Sequence, residues 1–482
     1  LVDKKLYFSC QMNINSITNQ IKIPHELKKM NELFEKAGFE AYLVGGAVRD
    51  MILQKEETDW DLATNATPEQ VMSIFHRVIP TGIAHGTVTV LFMNRQIEVT
   101  TYRTESDYSD GRHPDKVEYS KNIDEDLSRR DFTMNAIAAN LATGCIKDPF
   151  DGCTDIKNKI IRTVGNAIDR FSEDGLRPVR AIRFSAQLGF EIEKNTLEAI
   201  SNPSVMQKTS GISIERFRDE LIKMLKADKP SEGFKLMEKT HMLSQFLPEL
   251  QNCRNVIQSD KRGFHEFDVF DHLVYAADGA PKEDLTVRLA ALLHDIGKPA
   301  AKRTEQTSDG EIITFYNHET LSAEIAGKIL TRLKFPNNIV NSVCHLVKQH
   351  MFFYESSWTD AAVRRFIARV QLENLDQLFA LRVADVYGMH NVPVRLHDSE
   401  TGKNLCELKK RIEKVLKKST ALSIKDLAVN GNDLMTSGIP AGKTMGKILT
   451  QLLEAVMEDP EQNTKEKLTE IALNLYKKFY TK

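Results

Sequence analysis

The stretch Leu43–Thr64, LVGGAVRDMILQKEETDWDLAT, constrains the fold more than any other part of the chain. A short apolar run, Ala41–Val44, has the length and composition of a buried strand. It ends at Gly45-Gly46, and a helical stretch opens with Ala47, Val48 and Arg49. At such a junction two residues without Cβ let backbone N–H groups come close to a polyphosphate. The helix N-terminus adds partial positive charge, and Arg49 adds a full one. Asp59-Trp60-Asp61 follows. In an extended segment the period of two puts both carboxylates on one face, where they can hold divalent ions against phosphate oxygens.

Each half alone is commonplace, because Gly-Gly is usually just a turn and paired aspartates are usually a solvated edge or a helix cap. In this order they supply the triphosphate cradle and two-metal site that nucleotidyl transfer requires. The remaining bounds are wide. A chain of 482 residues accommodates roughly three domains. With 41% hydrophobic and 27% charged residues it has the composition of an ordinary soluble protein. A net charge of −2 confines any nucleic-acid surface to a local basic stripe. Six cysteines with no Cys-x-x-Cys pair favour reduced thiols and a cytoplasmic location. No apolar run reaches membrane length. The stretch from Lys4 to Ser9 is too short for an export signal, and Met12 is a plausible initiator.

In chain order, residues 23–38 carry an amphipathic pattern (Leu27, Met30, Leu33, Phe34, Ala37) that predicts a helix ending at Gly38. Thr67-Pro68-Glu69 predicts a helix start, running to about Phe75. Thr87–Phe92 and Ile97–Tyr102 read as a hairpin joined by Met93–Gln96. Glu98, flanked by Ile97 and Val99, faces away from them. Beside Asp59 and Asp61 it would be a third carboxylate; otherwise it is an exposed polar position. Residues 104–126 form a long polar loop. Next comes Arg129-Arg130-Asp131-Phe132-Thr133-Met134-Asn135, whose arginines offer forked donors to a triphosphate, while Asp131 and Asn135, a helical turn apart, are placed to fix a ribose hydroxyl.

Phe171–Phe190, FSEDGLRPVRAIRFSAQLGF, predicts a helix capped by Ser172, with Arg177, Arg180 and Arg183 recurring every three residues; Pro178 fits only if the helix starts near Leu176 or kinks. Asp174 and Arg177, three apart, would stand side by side, one offering acceptors and the other donors. Cytosine and adenine both present an amino donor beside an unprotonated ring nitrogen, whereas uracil and guanine present the opposite order. This pair therefore accepts C and A, and leaves unsatisfied groups against U and G at about 1–3 kcal/mol each.

LVGGAVRD with DWDLAT, then RRDFTMNAIA, then EDGLRPVRAIRFSAQLGF, resemble in order the motifs of the class II tRNA nucleotidyltransferase and bacterial poly(A) polymerase family. The resemblance implies an α+β chain, with a mixed-sheet head followed by an all-α neck and body. It implies Asp59 and Asp61 as Mg²⁺ ligands with Glu98 as an additional carboxylate. Gly46 and Arg49 would bind the triphosphate, Arg130 the incoming nucleotide, and Asp174 and Arg177 the base, with Arg180 and Arg183 nearby; Gly45, Asp131 and Asn135 join the nucleotide site on the reading of the residues given above. Gly175 and Pro178 depart from the family's pattern, which has proline first and an apolar residue second. The loop Tyr108–Pro114 and the sequence RRDFTMNAIA resemble the CCA-adding branch, whose substrates are tRNA, CTP and ATP; poly(A) synthesis stays open as the alternative.

After Thr196 the pattern is helical. Ile214–Leu225 and Phe234–Leu243 are amphipathic, with Arg216, Arg218, Lys223 and Lys226 expected on exposed sides as the default surface for a tRNA backbone. His272, His294-Asp295 at the end of an apolar helix, and Asp385 resemble the H…HD…D pattern of the HD superfamily, with His318 and His350 as supplements. The resemblance implies a second divalent-metal site with phosphatase or cyclic phosphodiesterase chemistry, and a chain that is mainly an HD phosphohydrolase is the third reading. The tail combines the Lys-rich helix Leu405–Leu416, a loop punctuated by Gly431, Gly438, Gly442 and Gly446, and a final helical pair. Gly442-Lys443-Thr444 lacks the glycine spacing of a phosphate loop. The expected divisions are 24–160 (head), 161–262 (helical templating and RNA-binding region), 263–390 (HD) and 391–482 (tail).

Overall fold

A computed structural model describes residues 20–55, 59–83, 86–106, 116–258, 266–307, 310–394, 398–417 and 421–480. The first twelve residues and the Tyr108–Pro114 segment lie outside these. The chain divides into two compact units, 1–227 with 232–246, and 228–231 with 247–482.

The first unit begins with α1 (His25–Lys36), which buries Leu27, Met30 and Phe34 at helical spacing. Strand β1 (Ala41–Val44) runs into α2 (Gly46–Ile52), followed by β2 (Asp61–Thr64). Helix α3 (Pro68–Ile74) starts at a capping box in which Thr67 and Gln70 satisfy each other's backbone amides. Strands β3 (Val78–Gly82), β4 (Thr87–Phe92) and β5 (Arg95–Thr101) follow. The β4–β5 connection is tighter than the sequence suggests: Met93 and Asn94 alone form it, both at positive φ, as a two-residue hairpin turn demands. Part of the polar stretch after Thr101 is paired, β6 (Arg103–Ser106) with β7 (Lys116–Tyr119). After α4 (Ile123–Ser128) and a single 3-10 turn (Thr133–Asn135), strands β8 (Ala138–Asn140) and β9 (Ile146–Lys147) and helix α5 (Gly152–Asn158) complete the head. The main sheet has the order β3-β4-β5-β2-β1-β8-β9. All its pairings are antiparallel except β2 with β5.

Short strand β10 (Ile160–Ile161) pairs with β11 (Glu191–Ile192) and frames α6 (Ala167–Glu173) and α7 (Arg177–Leu188). Helices α8 (Lys194–Ile200), α9 (Pro203–Ser210), α10 (Ile214–Leu225), α11 (Pro230–Lys239) and α12 (Leu243–Phe246) follow. The expected single helix capped by Ser172 is two helices. Ser172 lies inside α6 and donates to the Ile168 carbonyl at 2.7 Å, while Pro178 sits in the first turn of α7, where its missing N–H costs nothing. Gly175 lies in the link: a Cβ there would stand 2.5 Å from the Lys208 carbonyl oxygen.

The second unit runs from α13 (Pro248–Gln251) through α14 (Val269–Gly279), α15 (Leu285–Leu293) and α16 (Lys298–Ala301). A hairpin of β12 (Arg303–Thr307) and β13 (Gly310–Thr314) then interrupts what the sequence suggested was all helix. Next come α17 (His318–Arg332), α18 (Asn337–Gln349), α19 (Asp360–Val370) and α20 (Leu375–His390). The tail holds α21 (Glu400–Leu416), α22 (Gly431–Thr436), α23 (Lys443–Glu458) and α24 (Lys465–Tyr480). Gly431 opens α22 and Gly446 lies within α23, so neither is in a loop. The tail core gathers Val429, Leu434, Ile448, Leu452, Val456 and Leu468. Buried Arg364 donates to the Met457 and Glu458 carbonyls at 2.6 and 3.1 Å, satisfying the end of α23. No helix among the described residues is long and apolar enough to cross a membrane.

Gly175→Ala should destabilise the first unit by about 1–3 kcal/mol, since a backbone carbonyl has to move. Gly211→Ala, whose Cβ would meet the same carbonyl at 3.4 Å, should be much milder. Urea unfolding of the two variants side by side checks this; equal midpoints would show that the link yields freely.

Candidate active site

The turn after β1 depends on Gly45, at φ 69° and ψ −134°. A Cβ on it would lie 2.7 Å from Nη1 of Arg130, so only glycine allows that guanidinium to rest against the turn. Arg130 is held from the other side by Asp126, at 3.1 Å, and Asp126 also accepts from Arg129 at 2.6 Å. Burial works against this carboxylate, but the two guanidiniums hold it below the ordinary range. Arg49 is buried; it bonds Asp50 at 2.9 Å and the side-chain oxygen of Asn135 at 2.7 Å. Asn135 in turn donates to Asp131 at 3.0 Å, and Asp131 accepts from Arg180 at 2.9 Å. Burial opposes the charge on Asp131, yet Arg180, Asn135 and Arg177 pull its carboxyl down to about 2. Asp131 and Asn135 meet across a bend with one 3-10 turn, not along an α-helix.

The parallel pairing of β2 with β5 places Asp61 directly opposite Glu98. Asp59 lies two residues earlier, and Trp60 between them is buried beneath the Arg95 guanidinium, 4.3 Å from the ring centroid. Crowding by protein atoms around a side chain that still touches water, then repulsion from Glu98 and from Asp59 against the pull of Arg130, pushes the Asp61 carboxyl up to about 6. Acids that repel one another in this way suit a divalent cation.

Asp174 and Arg177, expected to stand side by side, are arranged differently. Arg177, at the start of α7, donates to Glu173 and to the carbonyls of Arg170 (2.8 Å) and Arg129 (3.2 Å). Asp174 is extended in the link and its carboxylate is gripped by Arg216 of α10 at 3.1 and 2.7 Å. Arg216 is therefore not on a free exposed side, whereas Lys223 and Lys226 are exposed. Arg183 is buried against Glu220 of α10 at 2.8 Å and Gln187 at 2.9 Å. Sequence reasoning missed Arg95 and Glu220 as partners, since no local spacing announces them, and missed Glu173 although it stands four residues before Arg177.

In the second unit His272 (α14), His294 and Asp295 (end of α15), His318 (α17), His350 (end of α18) and Asp385 (α20) converge, all buried. Oδ2 of Asp295 lies 3.3 and 3.4 Å from Nε2 of His272 and His294, and Asp385 Oδ1 is 3.4 Å from each. The other oxygen of Asp295 faces Nε2 of His318 and His350 at 3.0 and 3.5 Å. Two groups with metal-ligand spacing thus share Asp295. The Nδ1 atoms of His294, His318 and His350 bond the carbonyls of Ala291, Phe315 and Val347 at 2.8, 2.7 and 2.7 Å. A donating Nδ1 leaves each Nε2 lone pair aimed at the centre, as a metal ligand requires. Lys298 lies 2.5 Å from both Asp295 and Gln258. A cavity of about 410 Å³ opens beside this cluster and is lined in part by Lys298, Tyr316, Met351 and Arg382.

The first unit has the architecture and carboxylate placement of a nucleotidyltransferase head, and a family model described as the poly A polymerase head domain matches residues 41–162. Models described as the probable RNA and SrmB-binding site of polymerase A and as tRNA nucleotidyltransferase domain 2 match 189–253 and 305–472. A CCA-adding enzyme of Lactobacillus johnsonii is 34% identical over 93% of this chain and 96% of its own length. One from Lactobacillus delbrueckii is 51% identical, but over 42% of this chain, and that alignment spans about half (51%) of the relative. The Bacillus stearothermophilus CCA-adding enzyme, solved in complex with CTP, superposes with a TM-score of 0.69 at 28% identity, covering 94% of this chain and 97% of that one. The chain belongs to the class II tRNA nucleotidyltransferases, in the CCA-adding family.

The raised carboxyl gives a pH-dependent stability. The native state binds more protons than the unfolded chain between the ordinary 3.8 and about 6, so stability is lost as pH rises through that window. In EDTA, Asp61→Asn should melt above the wild type at neutral pH and lose that advantage in acid. Mg²⁺ should then raise the wild type alone. Parallel melting curves across the range would refute the assignment.

Proposed function

We propose that this protein adds CCA to tRNA 3′ ends from CTP and ATP and releases pyrophosphate. The observation that carries the reading is Asp61 opposite Glu98 beside the Gly45 turn, in a chain with relatives of matching length that are named CCA-adding enzymes. Asp59 and Asp61, with Glu98 adjacent, would hold Mg²⁺, which when bound supplies Lewis-acid activation of the RNA 3′-hydroxyl and charge for the triphosphate. The Gly46 amide and Arg130 hold the triphosphate in line with that hydroxyl, while Gly45, whose own amide donates to the Ile137 carbonyl at 3.2 Å, shapes the turn. Arg49 fixes Asn135, and Asn135 with Asp131 positions the ribose. Asp174 and Arg177 read the amino group and ring nitrogen of C or A, with Arg180 and Arg183 supporting them. The helical surface with Lys223 and Lys226 receives the tRNA backbone. We place the protein in the cytoplasm, in keeping with its free thiols, and divide it at 24–160, 161–262, 263–390 and 391–482.

A second site is proposed from the six converging ligands. With Asp295 shared, they fit divalent ions and an HD-type phosphohydrolase, in which Lys298 and Arg382 would face the substrate's phosphate.

Purified protein incubated with Mg²⁺ and a tRNA lacking its 3′ end should grow by two nucleotides with CTP and by three with CTP and ATP, then stop. A long ladder with ATP alone would move it to poly(A) synthesis. Asp59→Ala should abolish extension and leave any phosphohydrolase activity intact. His294→Ala should do the reverse and lower the bound metal measured by elemental analysis; unchanged metal content would remove the second site.

A further inference from the structure

Asp59 and Asp61 are held by different means. Asp61 opens β2, and the register that puts it opposite Glu98 fixes its position. Asp59 lies before the strand, and among the described residues its carboxylate has neither a hydrogen bond nor an ion pair. What ties this part of the chain down is the residue between the two acids. Trp60 is 9% exposed, and its ring lies beneath the Arg95 guanidinium, 4.3 Å from the centroid.

Arg95 opens β5 directly after the Met93-Asn94 turn and faces Phe92 across the hairpin. It stands three residues before Glu98, so the alternation of the strand puts the two on opposite faces of the sheet. Glu98 shares a face with Asp61. Arg95 shares the other with Ile97 and Val99, both buried. Trp60 meets Arg95 on that second face, so the stack lies behind the acids and not among them. The Phe92 ring, which packs on Phe75 at 6.0 Å, belongs to the same edge. The charges that bear on Asp61 are those of Glu98, Arg130 and Asp59. Arg95 therefore reaches the acids through the ring and not through its field. Among the described residues no hydrogen bond or ion pair ties Arg95 elsewhere.

We propose that Arg95 is a positioning residue for the metal-binding acids: stacked on Trp60, it pins the chain entering β2 so that the Asp59 carboxylate is presented beside Asp61. The assignment rests on Asp59 and Asp61 holding the divalent ion. Asp59 is joined to Trp60 by a single peptide unit, so a freed indole lets Asp59 drift while Asp61, locked to β5, stays. The ion then meets both ligands in only part of the population, and its apparent affinity falls with that fraction.

Trp60 also supplies the test. The chain has two tryptophans, so in a Trp358→Phe background excitation at the red edge of indole absorption reports Trp60 alone. Tb³⁺, a hard oxygen-seeking cation, should give sensitised emission when the acids beside that ring bind it. Arg95→Met keeps an apolar stem without the cation. It should raise the half-saturating Tb³⁺ concentration about two- to fivefold, and by a like factor the Mg²⁺ concentration that gives half-maximal CTP addition to a tRNA lacking CCA. At saturating Mg²⁺ its kcat should return to the parent value, which a merely structural loss would not allow. Arg95→Lys, a cation that stacks less well, should fall between. In a Trp60→Leu chain Arg95→Met should shift the Mg²⁺ dependence no further. Asp59→Ala should lose the sensitised emission. If it does, and Arg95→Met matches the parent in both titrations, the positioning role is refuted and the metal ligands stand. If Asp59→Ala binds Tb³⁺ as the parent does, the metal assignment fails and the positioning role falls with it. A shift that persists undiminished in the Trp60→Leu chain also overturns the role, since Arg95 would then act without the ring. Thermal melting reports folding, and should Arg95→Met fail to fold, an intermediate shift for Arg95→Lys supports the role and an unshifted Arg95→Lys overturns it.

Discussion

The parallel pairing of β2 with β5 is the constraint on which the head depends. Every other pairing in that sheet is antiparallel and needs no crossover. This one obliges the chain to leave Thr64, build α3, β3 and β4, and return at Arg95 running the same way. Its result is a pair of like charges side by side on neighbouring strands, an arrangement that destabilises a sheet. Leu62, Ala63 and Val99, all buried, anchor the strands in spite of it. Relief of that repulsion would add to the attraction between these acids and a divalent cation.

The second unit reaches its converging ligands by a repeated local device. His294 and His350 stand at the C-terminal ends of α15 and α18, and His318 at the first position of α17. In each case Nδ1 bonds the carbonyl three residues back. The carbonyls of Ala291 and Val347 belong to the last turns of their helices, where carbonyls lack an intrahelical partner, and that of Phe315 lies just before α17, so each ring is fixed from its own stretch of chain. Asp295 follows His294 directly in the chain, so that His272 of α14 and Asp385 of α20 remain to be brought in from other helices.

What was legible in the sequence was what short-range rules govern. The β1–turn–α2 unit, the α3 capping box, the β4–β5 hairpin and the spacing of His294-Asp295 all follow from residues within a few positions of one another. The start near Leu176 that Pro178 required is where α7 begins, but the cap assigned to Ser172 failed, because Ser172 lies inside the separate helix α6. That error placed Asp174 beside Arg177, whereas the actual partner, Arg216, is 42 residues away in sequence. The β12–β13 hairpin was missed because RTEQT is polar throughout and carries no alternation. Contacts such as Arg130 against Gly45 depend on tertiary packing and have no local signature.

The arginines around this site come already matched. Arg49 has Asp50, Arg130 has Asp126, Arg177 has Glu173, Arg180 has Asp131, Arg183 has Glu220 and Arg216 has Asp174. The pocket is thus closer to a neutral lattice than to an open positive field. A bare polyanion entering it would have to displace a carboxylate from each guanidinium it used. One that arrives with its own divalent cation exchanges partners instead, metal to carboxylate and phosphate to arginine, with no change in the total. Such a pocket would favour a polyanion that brings a cation with it over a bare one, because the carboxylates released from the arginines would then have a new partner.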